Sequence, residues 1–335
     1  MIEKIRRLLT GRRKTRYCWP QYTTHTDIPQ DFYPFYMDDE PRRFRVAILN
    51  RDFRLATRIY KQAENGLRDS IQDAIVCDRY LDLAIDAYRE SDRQNPVACV
   101  TYESSMVARA WFAKYAEGDD APDFERVLAE TLTAIDSAQA HAPGDANTWK
   151  NALTVGMISD LAKDKARTIW EMGCRADNMS LYLHCEYLGL AFPRRGGSLD
   201  YMDAVVDAVM KIRPGSYLNG IVAYAFEEKT RCESREDPLV NAVIDDIDCQ
   251  NQLINAYTTM RKGCDTLAEV EVLNYFAYGF WFIGNNRWSL DVMRTLKHRY
   301  IYGPWSDKAV FDDGPFGLAA QLQYLLDAEA DGTLD

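Results

Sequence analysis

Five consecutive residues, Arg194-Arg195-Gly196-Gly197-Ser198, have the types and spacing to hold an anion. Two glycines let the backbone turn tightly. A helix starting at the serine would present unpaired N–H groups with partial positive charge, and two guanidiniums would stand beside it to grip a carboxylate or phosphate. The spacing is not that of a Walker loop, and no strand precedes it. The competing reading is a sharp corner between helices whose arginines pair with surface acids.

Other chemistry is thinner. His184-Cys185-Glu186 places a base, a nucleophile and a carboxylate in a row. Adjacent residues on a helix point in different directions, so these three cannot form a relay. Cys174 adds a thiol, but no second closely spaced ligand pair completes a metal site. A core cysteine between ordinary surface neighbours is the expectation. Asp38-Asp39-Glu40 and Asp245-Asp246-Ile247-Asp248 offer oxygen ligands without the glycine and distal glutamate of a calcium loop, and read as solvated turns. The four histidines include no HExxH pair, and no GxSxG motif occurs. No catalytic residue, metal or cofactor is expected.

The elements that must position these residues are helical. Trp149, Tyr182 and Tyr217 each open an amphipathic stretch just after a turn, 33 and then 35 residues apart. The turns are Ala142-Pro143-Gly144-Asp145, Arg175-Ala176-Asp177-Asn178 and Arg213-Pro214-Gly215-Ser216. A period near 34 with two helices per unit is that of tetratricopeptide-type solenoids, which usually bind other proteins. Phe124, Val127, Leu128, Leu132 and Ile135 fall on one helical face after Pro122. Ser198 reads as an N-cap before Met202, Val205, Val206, Val209 and Met210, and Asp237-Pro238 as another start before Leu239, Val240 and Val243. Strict alternation of the strand type is absent. The fold class is all-α, with antiparallel helix pairs stacked as a degenerate tetratricopeptide-like solenoid between terminal caps.

Two segments differ from this body. Residues 1–43 form a basic and aromatic arm interrupted by Pro20, Pro29 and Pro34, expected to lie across the first helices. Residues 44–335 form the repeat domain, with a turn-rich aromatic cap from about residue 300 and a last helix from about 317 to 328. The basic stretch at 1–16, with Ile2, Ile5, Leu8 and Leu9 at helical spacing, offers contact with a membrane surface as a weaker alternative to capping. The longest apolar run, Tyr275 to Ile283, is too short for a span, which needs about 20 residues.

Charge and cysteines narrow the function. Residues 1–16 hold seven basic residues and Glu3, a balance of +6, so the remainder carries −17 to give the total of −11. A body this acidic repels phosphate backbones and suits a cationic protein partner. Eight scattered cysteines with no CxxC pair read as buried thiols in a reducing, cytoplasmic setting.

Phe192-Pro193-Arg194-Arg195-Gly196-Gly197-Ser198 followed by Met202 resembles a motif in a bacterial family catalogued only as a domain of unknown function. Leu49-Asn50-Arg51-Asp52-Phe53 is similar to that family's opening segment, and the likeness would cover about residues 44 to 330. Arg195 stands where the family pattern has tryptophan. The resemblance implies tetratricopeptide-type helical repeats and no established activity. The expected function is a non-enzymatic, protein-binding repeat protein of immunity or accessory type that neutralises a bacterial toxin or effector. The alternative is an enzyme or anionic-ligand sensor with a pocket at the Arg194–Ser198 corner.

Overall fold

The computed structural model describes residues 39–76, 81–115, 123–159, 163–230, 246–260, 266–296 and 325–331. No strand occurs among the described residues. The chain begins with α1 (Asp39–Leu49), α2 (Phe53–Gln62), α3 (Asn65–Val76), α4 (Asp82–Ser91) and the long α5 (Pro96–Tyr115). It continues with α6 (Phe124–His141), α7 (Ala146–Gly156), α8 (Lys163–Ala176), α9 (Leu181–Leu190) and α10 (Leu199–Met210). The last are α11 (Ile221–Thr230), α12 (Ile247–Thr259), α13 (Leu267–Phe282) and α14 (Asn286–Leu296), with helical turns at 325–330. α1 starts inside the stretch expected to be an arm. The basic residues 1–16, the aromatic residues up to 36, Pro122, the Asp237-Pro238 start and the aromatic segments at 300–316 lie outside the described residues.

Helix starts follow their capping residues. Asp52, Asp123, Asp145, Ser180, Ser198, Asp246 and Thr266 each accept a hydrogen bond from a backbone N–H of the turn they open. Thr266 and Glu269 form a reciprocal capping box. The three recurring turns lead to Asp145, Ser180 and Ser216. Trp149 and Tyr182 therefore sit in the first turns of α7 and α9, and Tyr217 opens the 3-10 turn Tyr217–Gly220 that runs into α11.

Helices joined by short turns run antiparallel, so alternate helices run parallel. The odd-numbered helices pack in sequence: α3 on α5, α5 on α7, α7 on α9, α9 on α11 and α11 on α13. Even-numbered helices pack against these. α13 also meets α3, and α3 meets α7, so the last odd helix lies against the third helix of the chain.

Burial divides the rows. Every residue of α7 and α9 is buried, and α13 is buried without a break from Val270 to Phe280. The even helices bury one face only. On α10 this is Met202, Val205, Val206 and Val209, at the spacing expected of an amphipathic helix. On α6 it is Val127, Thr131, Ala134, Ile135 and Ala138, while Leu132 stands 46% exposed, off the face the sequence reading gave it. The apolar run at 275–283 is the core-facing end of α13. No helix among the described residues is long and apolar enough to cross a membrane.

Candidate functional site

The Arg194–Ser198 corner joins α9 to α10. Phe192 precedes proline and is extended, as steric clash with a proline ring requires. Pro193–Arg195 make one 3-10 turn, closed by Gly196 in the left-handed region at φ 75°, where an L side chain would be strained. Gly197 donates to the Phe192 carbonyl at 3.0 Å, and a Cβ there would overlap the Ala191 carbonyl. The Ser198 hydroxyl accepts from the Tyr201 N–H at 3.2 Å, and Asp200 follows in the first turn. The serine therefore caps this helix end, and an aspartate answers its dipole.

Both arginines are engaged within the chain. Arg194 grips Glu228 through two parallel hydrogen bonds, one of 2.6 Å and one of 2.7 Å. This fork is the strongest geometry for a guanidinium and a carboxylate. Arg195 turns inward. It donates to the Gly189 carbonyl at 3.3 Å, meets the Met157 sulfur, and lies over the rings of Phe192 and Trp111 at 5.6 Å and 6.0 Å. Met157 follows the end of α7, Gly189 lies in the last turn of α9, and Trp111 lies near the end of α5. The carbonyl end of α9 carries partial negative charge, which the half-buried Arg195 cation answers through Gly189. Burial lowers the Arg195 pKa, the charge of Arg194 adds to this, and Glu186 and Glu228 oppose it.

His184-Cys185-Glu186 corrects the sequence reading. All three are buried, because α9 is enclosed by α7, α8, α10 and α11, and none is a surface neighbour. His184 Nδ1 accepts from Trp170 Nε1–H at 2.9 Å, which leaves Nε2–H to donate to the Asn178 carbonyl at 2.9 Å. Fixing one ring nitrogen as acceptor makes the other the donor. Burial pushes its pKa down to about 4, against the pull of that carbonyl, so the ring is a neutral tie between helices. Burial lifts the Cys174 thiol to about 12, with Asp177 and Glu171 adding to it, and it is no nucleophile at neutral pH. Among the described residues, no group of His, Cys, Asp and Glu could hold a metal ion.

The sequence reading missed a seam of buried polar side chains along the odd row. Glu271 on α13 accepts from the hydroxyls of Tyr182 on α9 and Tyr224 on α11. Lys150 on α7 has its ammonium 5.8 Å from the Tyr182 ring centre. That places the cation within reach of the ring's negative face. Asp69 on α3 accepts from Ser180 at 2.9 Å, Asn151 on α7 donates to Ser104 on α5 at 2.9 Å, and Gln72 donates to Thr101 at 3.3 Å. Glu103 on α5 is fully buried. Desolvation raises its pKa well above the carboxylate range, while Asn151, Thr148 and Lys150 pull the other way. The signal was present: polar residues a few positions after each capped turn, inside otherwise apolar helices. The chemistry the seam performs is fastening, since each of these hydrogen bonds joins two different elements of the interior. No family model matches the chain, and no curated protein and no solved structure is significantly similar to it.

Proposed function

We propose that the chain is a non-enzymatic helical repeat protein that binds a cationic protein partner. The reading rests on one observation. Aliphatic side chains stand exposed beside acids in the first turns of three even-row helices: Leu83 by Asp82, Leu199 by Asp200, and Ile247 between Asp246 and Asp248. On a chain of net charge −11 such turns supply apolar contact within a field that draws positive partners. The alternation of stacked helix pairs supports a degenerate tetratricopeptide-like solenoid as the frame, here curled so that α13 meets α3. We extend the proposal to an immunity or accessory role, neutralising a bacterial toxin or effector, and to kinship with the bacterial family suggested by the Gly-Gly-Ser corner. Free thiols at Cys99, Cys174, Cys185 and Cys249 favour a cytoplasmic setting.

A ligand pocket at the corner has less support, because Arg194 is held by Glu228 and Arg195 by the Gly189 carbonyl and the Met157 sulfur. The test is capture of the product of an adjacent gene by the full chain at low ionic strength. The expected complex weakens with added salt and with the double variant Leu199→Ser/Ile247→Ser. A folded chain that holds no such partner at low salt, or one indifferent to both changes, overturns the proposal.

A further inference from the structure

A polar cavity of about 340 Å³ opens between α4 and α5, sharing no residue with the corner or the seam, lined by Asp86, Arg89, Glu90, Arg93, Tyr102 and Arg109. We propose that this cleft is a binding site for a small oxyanion, carboxylate or phosphate in chemistry, gripped by Arg89, Arg93 and the Tyr102 hydroxyl.

The pairing of the charges carries the argument. Arg109 is engaged by Asp86 at 2.9 Å and Asp82 at 3.4 Å. Arg93 meets Glu90 at 2.5 Å, with both side chains more than half exposed. Such a surface pair exchanges partners at little cost. Arg89 differs. Its Nη2 donates to Ser137 on α6 at 2.9 Å, and no carboxylate lies within ion-pair distance among the described residues. Its Nη1 is buried and has no acceptor. A half-buried guanidinium with one neutral acceptor retains donors that an oxyanion satisfies, and its planar fork matches a carboxylate or phosphate. Tyr102, on the other wall, makes no hydrogen bond from its hydroxyl among the described residues. Burial and the charge of Asp86 raise its pKa, Arg109 opposes them, and the phenol keeps its proton to donate. Arg89 and Arg93 are four positions apart, just before and just after the end of α4. Three guanidiniums face two carboxylates on the lining, which distinguishes this cleft from the acidic body around it.

The site is independent of the proposed protein partner and is tested without it. Calorimetric titration of the full chain at low ionic strength would use pyrophosphate in one arm and citrate in the other. One saturable site with a dissociation constant below about 1 mM is expected. Arg89→Gln should weaken it at least about tenfold, as loss of a charge-assisted fork predicts. Arg93→Gln, at an exposed position that leaves the fold intact, should weaken it about threefold. Tighter binding of pyrophosphate assigns a phosphate-bearing ligand, and tighter binding of citrate a polycarboxylate. If neither probe saturates, or if the Arg93 variant and a folded Arg89 variant both bind like the parent chain, the site does not exist.

Discussion

Helices α9 and α10 are consecutive, yet they live in different solvents. α10 has one apolar face and one wet face, and its polar residues are where water is. α9 is buried on every side and still carries His184 and Glu186. The same contrast runs through the odd and even rows. A polar residue on the wet face of an even helix is free to vary, because water can replace whatever it touched. Where a buried one on an odd helix holds a neighbouring element, as Glu271 holds Tyr182 and Tyr224, removing it strands the partner.

Substitutions can break or sharpen that contrast, and guanidinium unfolding of the full chain reads all of them. Gly197→Ala, at the passage from α9 to α10, forces a Cβ into the Ala191 carbonyl. It should cost about 4 kcal/mol or more. A smaller loss would mean that the corner can relax. Leu183→Ala empties a fully buried position on α9. The expected cost is about 3 kcal/mol. Glu271→Ala leaves two buried tyrosine hydroxyls without their acceptor. Here the loss should be about 2 kcal/mol. If it proves neutral, the seam is packing rather than fastening.

His184 gives the row difference a pH signature. Its folded-state pKa of about 4 lies below the unfolded value of 6.5, so the unfolded chain binds the proton better. Its contribution is whole above pH 6.5 and falls as pH drops towards 4. From pH 7 to pH 5 the loss should be about 2 kcal/mol. Glu103 runs the other way, since its raised pKa makes stability fall as pH rises. The quantity to measure is therefore the difference between the parent chain and His184→Gln, whose slope should be flatter; equal slopes would remove the argument. The smallest effect belongs to the even row, at Leu132 on the exposed face of α6. Leu132→Ala should change stability by less than about 0.5 kcal/mol.

The even row was the legible one. Periodicity found α10 nearly residue by residue, and Ser198 was recognisable as its cap because a capping serine is a local matter. The aromatic spacing marked the starts of α7, α9 and α11, for each follows a turn written in proline, glycine or aspartate. What stayed opaque in the odd row was which side chains are buried. A helix enclosed all round has no polar face to set the phase, so His184 and Glu186 passed for surface residues. The arginines of the corner left two readings open, an anion or an acid of the chain itself, because Glu228, Met157 and Trp111 come near them only in the tertiary structure.

The contact of α3 with α13 bears on how the molecule folds and changes over evolutionary time. An open stack gains and loses repeats at its ends, and each unit melts nearly by itself. Here the first part of the odd row is bound to the last, across most of the chain. Closing that distance carries a loop-entropy cost before any contact repays it, which slows folding and joins the pairs in one cooperative transition. A helix pair duplicated or deleted between α3 and α13 would have to be accommodated without breaking their contact, a constraint that an open stack does not impose.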